Sequence, residues 1–165
     1  MSKVRVIYGS TTGTTEAVAR RIAAAFGTEA IGIAQAGEAD FEGELVILGT
    51  STWGFGELQD DWISGVEFLD RIDLTGKKIA LFGTGDQVGF SETFCDAVGI
   101  LAGKVRERGG VPVGFTSSAG YSHNASLAEE DGRFCGLLLD ENNEPDKSEE
   151  RIVSWIRSLE QILKG

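Results

Sequence analysis

Two cysteines in 165 residues, Cys95 and Cys135, are too few and too far apart for a disulfide framework or a metal site. They read as the reduced thiols of a cytoplasmic protein. The only histidine, His123, falls in a polar stretch and is expected to be an exposed loop residue without a catalytic role. Only two prolines and 41% hydrophobic residues describe a globular composition. No apolar run approaches the length of a membrane span, and the chain is expected to enter its first strand at once, without a signal peptide. Positive charge is scarce: 15 Lys and Arg stand against 26 Asp and Glu, a net charge of −11. Such a surface repels nucleic acid and anionic membranes and steers basic protein partners, although a solvated face kept for solubility has the same signature. The length suits one domain over residues 1–165.

Apolar runs alternate with helical patterns along the chain. "VRVIY" (4–8), "EAIGI" (29–33), "LVILG" (45–49), "KIALFG" (78–83) and "VPVGF" (111–115) read as strands. Val18, Ile22 and Phe26 step by four, and Phe94, Val98, Leu101 and Val105 mark one buried helical face. Ile152, Ile156, Leu159 and Leu163 form the stripe of a last helix, with Asp146 and Glu149 as its capping start. The short acidic piece between strands two and three leaves room for little or no helix. Segment 116–136 is polar and reads as an excursion that interrupts the fifth strand, which "GLLL" then resumes. No repeat or low-complexity tract is present. Near-continuous apolar strands separated by helices imply a parallel α/β sheet covered on both faces. Ligands of such sheets lie beyond the carboxyl ends of the strands, here after Tyr8, Gly49 and Gly83.

The loop after Tyr8 is "GSTTGTTE", which offers the hydroxyls of Ser10, Thr11, Thr12, Thr14 and Thr15 at the start of a helix. Backbone N–H groups and the helix dipole hold a phosphate there without a cation. A nucleotide-hydrolysing loop needs Gly-Lys-Ser/Thr, yet Gly13 is followed by Thr14, so phosphoryl transfer lacks its lysine. The second loop, "TSTWGFGELQDDW" (50–62), places Trp53 just past a buried strand, and Gly54 and Gly56 flank Phe55 in a turn suited to positive φ. The third, "GTGDQVGF" (83–90), ends in Phe90, and its glycine spacing is one residue too long for a dinucleotide fingerprint. Two aromatics beside a phosphate loop suggest the walls of a slot for a flat ring. Acids after the first strand, as a phospho-accepting signalling domain needs, are missing from "IYGSTTG".

On these three loops, and along its whole length, the sequence resembles the flavodoxins, whose fold holds FMN at the point where strand order reverses. The segment 116–136 and the tail "GLLLDENNEPD" are similar to the long-chain subgroup. The resemblance implies a three-layer sandwich with a five-stranded parallel sheet of order 2-1-3-4-5, helices on both faces and a loop interrupting the fifth strand. It also implies a low-potential one-electron carrier, not an enzyme, with non-covalent FMN shuttling between semiquinone and hydroquinone. Ser10, Thr11, Thr12, Gly13, Thr14 and Thr15 would hold the phosphate. Thr50, Ser51, Thr52, Trp53, Gly54, Phe55 and Gly56 would line one side of the ring, and Gly83, Thr84, Gly85, Asp86, Gln87, Gly89 and Phe90 the other. Trp53 matches the inner stacking tryptophan, while Phe90 stands where the family usually has an outer tyrosine. Asp96 and Asn142 are carried over as neighbours of the ring edge or ribityl chain.

The implied partners are redox proteins with basic docking surfaces, of the ferredoxin/flavodoxin–NADP reductase, nitrogenase reductase or pyruvate oxidoreductase type, met by a monomer. The alternative on the same fold is an FMN-dependent NAD(P)H:quinone reductase. The second and third loops contain acids but no Lys or Arg. Two like charges ~8 Å apart at an effective dielectric of ~20 repel by roughly 2 kcal/mol, which favours a low potential. A turning of the Gly54–Phe55 peptide is expected to offer the Gly54 carbonyl to a protonated ring nitrogen.

Overall fold

The structure is a computed structural model describing residues 3–53 and 55–164. Strand β1 (Val4–Tyr8) leads through helix α1 (Thr14–Ala25) to β2 (Ala30–Gly32). Two single-turn 3-10 helices, Ile33–Gln35 and Glu38–Phe41, replace a full helix before β3 (Leu45–Trp53). β3 turns back into the two-residue β4 (Glu57–Leu58), followed by α2 (Asp60–Leu69), β5 (Lys78–Thr84) and α3 (Asp96–Glu107). Then come β6 (Val111–Val113), the short β7 (Thr116–Ser117), β8 (Glu129–Glu130) and β9 (Arg133–Phe134), then β10 (Leu137–Leu139) and α4 (Pro145–Lys164).

The principal strands run β2-β1-β3-β5, all parallel, and the fifth position is shared. β6 pairs with Lys78–Ala80 and β10 with Phe82–Thr84, so the two are halves of one strand split by the excursion. The expected order and the interruption both hold. Two features were not foreseen. β4 folds antiparallel onto the end of β3, pairing Trp53 with Glu57, and the excursion carries its own antiparallel sheet, β7-β9-β8.

Side chains along β3 alternate between two cores. Leu45 and Ile47 join Val18, Ile22, Trp155 and Leu159 under α1 and α4. Val46 and Leu48 join Trp62, Val98, Leu101 and Val105 under α2 and α3. With both faces covered, the strand has no solvent side, which is why it reads as an unbroken apolar run. Helix α4 starts at Pro145, one residue before the expected cap Asp146, because a proline at the first helical position lacks only an N–H that would have no helical partner. Phe94 precedes α3 instead of lying within it, yet it is buried as its spacing implied.

His123 is the clearest correction. Its side chain is only 6% exposed, because the excursion folds back and packs it against Phe94 and Phe134, with centroids 5.4 and 5.2 Å away. Nε2 lies 2.7 Å from Glu129 Oε1, so a carboxylate partners one ring nitrogen, while Nδ1 is buried without a hydrogen-bond partner among the described residues. Among the described residues, no helix is long and apolar enough to cross a membrane.

Candidate functional site

The loop after β1 is anchored before it meets the helix. Gly9 N–H donates to the Gly49 carbonyl at 3.0 Å, tying it to β3. Gly13 caps α1 with φ +93°, a left-handed conformation that a side chain would resist, and its N–H donates to Ser10 Oγ at 3.1 Å. Thr11 Oγ1 accepts from Gln59 Nε2 at 3.0 Å. Ser10 and Thr11 thus shape the loop, and Thr12, Thr14 and Thr15 line an open cleft. The first-turn N–H groups of α1 have no carbonyl one turn back, and the positive end of the helix dipole adds to them. Such a terminus holds an anion.

Across the cleft stand the ends of β3 and β5. Ser51, Thr52 and Trp53 line it from one side, and Thr84, Gly85, Asp86 and Phe90 from the other. Trp53 is 40% exposed and Phe90 47%, large apolar surfaces left open at the ends of buried strands. Trp53 Nε1 donates to Ser51 Oγ at 2.9 Å, which fixes the indole against its own strand. Thr52 Oγ1 accepts from Ala97 N–H at 3.0 Å, joining this wall to the start of α3. Phe55 projects at 88% exposure, and Gly56 makes the turn with φ +87°. Gly54, to which a backbone movement was assigned, lies outside the described residues.

Several residues named from sequence stand behind the lining. Thr50 is fully buried and donates to the Ser51 carbonyl, and Gly83 packs closely against Val98. Asp96 does not reach the cleft. It lies 7% exposed under the second loop and accepts from Leu127 N–H at 2.8 Å, while burial raises its carboxyl above the ordinary range. A Cβ on Gly56 would come within 2.5 Å of its Oδ2. Gln87 is 1% exposed and turns away from the cleft, donating to Glu144 and accepting from Ser122.

Asp86 organises the third loop. Its Oδ1 accepts from Gly89 N–H at 2.7 Å and Val88 N–H at 3.0 Å, and Phe90 N–H donates to its carbonyl at 3.0 Å. The Gly89 bond leads in holding its carboxyl below the usual range, with Asn143 and Asn142 assisting, so Asp86 stays ionised. A Cβ at Gly89 would meet Asp86 Oδ2 at 2.6 Å. Asn142 lines the cleft and donates to Asp86 Oδ2 at 3.2 Å. Glu141 also lines it and escaped notice in the sequence, although its place directly after the fifth strand is the same signal that marks the other loops. The lining therefore has two carboxylates and no Lys or Arg among the described residues.

Residues 6–155 match the family model described as Flavodoxin. The flavodoxin of a Picosynechococcus species is 44% identical over 164 residues, covering 96% of each chain. That of a Synechocystis species is 43% identical over 170 residues and covers both chains fully. Among solved structures, the Fusobacterium nucleatum flavodoxin bound to flavin mononucleotide superposes with a TM-score of 0.90, at 32% identity and 98% coverage of each chain. With that match spanning the sheet, the three loops and the split fifth strand, the chain belongs to the flavodoxin family.

Proposed function

We propose that this protein binds FMN non-covalently in the cleft and works as a low-potential one-electron carrier between redox proteins in the cytoplasm. The observation that carries the reading is the pairing of a cation-free helix N-terminus with two half-exposed aromatics, Trp53 and Phe90, on one cleft. The donors suit a phosphate, and the open ring faces suit a planar group that would cover them. When bound, FMN supplies reversible one-electron chemistry.

The rest is the work of the chain's own residues. Thr12, Thr14, Thr15 and the first-turn amides would hold and orient the phosphate. Trp53 and Phe90 would flank the ring and exclude water from its faces. Ionised Asp86, with Glu141 on the same lining, sets a negative field that opposes the addition of electrons. That field would make a bound flavin a ready electron donor, working between its two more reduced states. With Trp53 and Phe90 on its faces, a bound ring would be open to partners at its edge, where the acidic surface would receive basic partners. The proposed working form is a monomer of one domain, residues 1–165.

The test is a titration of the purified protein with FMN followed by stepwise reduction. One equivalent should bind with loss of flavin fluorescence, and the reduced protein should pass electrons to a basic partner more slowly as salt rises. Steady turnover of NADPH with a quinone, or indifference to FMN, defeats the reading.

A further inference from the structure

The third loop is held in shape from two sides. Inside it, Asp86 gathers the amides of Val88 and Gly89. Outside it, Gln87 reaches back into the protein and makes three side-chain hydrogen bonds. Its Nε2 donates to Glu144 Oε1 at 2.7 Å, and its Oε1 accepts from Ser122 N–H at 2.6 Å and Ser122 Oγ at 3.1 Å. Its backbone N–H donates to Oδ2 of Asp140, a fully buried carboxylate, at 3.1 Å. Glu144 is itself fixed by Arg151 Nη2 at 3.0 Å and Lys147 Nζ at 2.6 Å. One buried amide thus joins the cleft loop to the excursion, through Ser122, and to the start of α4, through Glu144.

We propose that Gln87 is a positioning residue, through which the excursion 116–136 and α4 hold the loop that presents Asp86 and Phe90 to the flavin. The inference rests on the FMN reading for its functional consequence. The physical reason is geometric. Gln87 lies between Asp86 and Phe90 in the chain, so a loop released at Gln87 loses the fixed backbone on which both neighbours depend. A glutamine suits the position because one end must donate to a carboxylate and the other must accept from an amide and a hydroxyl. The excursion then supports the cofactor loop without touching the cofactor.

The experiment compares three variants with the wild-type holoprotein: Gln87→Met, Gln87→Glu, and Gln87→Glu combined with Glu144→Gln. Methionine keeps the length and loses the hydrogen bonds, and FMN should bind about tenfold more weakly, with an altered visible circular dichroism of the bound flavin. Gln87→Glu sets a carboxylate against Glu144 and should do at least as much harm. The double variant reverses that bond, with the new amide at 144 donating to the carboxylate at 87 while Ser122 still donates. Because Arg151 Nη2 donates to the same Glu144 oxygen and loses it as an acceptor, both readouts should recover in part, well above those of Gln87→Glu. In the FMN-free protein, amide exchange at Val88, Gly89 and Phe90 should be faster in Gln87→Met and slower in the double variant than in Gln87→Glu. Unchanged affinity, dichroism and exchange in Gln87→Met, even with a lowered melting temperature, would overturn the proposal. So would a folded double variant no better than Gln87→Glu. A wild-type protein that fails to bind FMN defeats the flavin reading instead, while the exchange measurement still decides the positioning role.

Discussion

The hydroxyls of Thr15 and Thr84 meet 3.0 Å apart in the buried floor of the cleft, 69 residues apart in sequence. They bolt the first turn of α1 to the end of β5, so the anion-holding terminus and the third loop share one support. Replacing either threonine by valine leaves the other hydroxyl unpartnered in a buried place. Each single variant should lose about 1–3 kcal/mol in urea denaturation of the FMN-free protein. The double variant should lose less than the sum, since two apolar groups of the same shape need no partner. Additive losses would show that the pair does not act as a unit.

Trp53 and Phe90 differ in what their removal should do. Trp53 carries the larger ring, fixed by its bond to Ser51, so Trp53→Ala should weaken FMN binding roughly tenfold or more by fluorescence titration, on the scale of about 1–3 kcal/mol for an aromatic stack. Phe90→Tyr adds only a hydroxyl at an exposed position and should change affinity by less than about threefold. Equal effects of the two substitutions would contradict a stacked ring.

How much of this was readable beforehand depends on the range of the interactions involved. β1, β3 and β5 were legible because each is buried on two faces and therefore apolar throughout, and the rule of carboxyl strand ends then located all three loops. The expectation of a phosphate site came from five hydroxyls crowded into one helix start, and of these residues Thr12, Thr14 and Thr15 line the cleft. Gln87 was assigned to the cleft because it sits among cleft residues. Only the fold brings Glu144 and Ser122, 57 and 35 positions away, to its side chain. His123 misled for the same reason: a polar neighbourhood in sequence conceals Phe94 and Phe134, which cover it in space. Local pattern told which segments line the cleft. It could not tell which side chains within a segment turn away.

Stability in acid should register Glu144. Lys147, then Gln87 and Arg151, hold its carboxyl down to about 2, against 4.5 unperturbed. A depressed folded pKa contributes stability that is present above the unfolded value and lost as pH falls from about 4.5 towards about 2. Glu144→Gln should therefore be less stable than wild type at pH 6, by about 1 kcal/mol. That gap should narrow steadily below pH 4.5. A gap independent of pH would mean that the loss comes from packing and not from the charge.

The two thiols test how tightly the cores are closed. Cys95 and Cys135 are 1% and 3% exposed, and burial pushes the Cys95 thiol well up and that of Cys135 to about 11. Only the thiolate attacks a disulfide reagent, and at pH 8 a group with pKa about 11 is roughly 0.1% ionised, besides being out of reach. Native protein should therefore label far more slowly than a free thiol, and both cysteines should react at once in urea. Because FMN binds the folded state alone, adding it should slow labelling further, by a factor that grows with its concentration over the dissociation constant. Rapid reaction of either thiol in the native protein would mean that the sheet opens locally around it. Labelling that FMN leaves unchanged would place that opening away from the cleft.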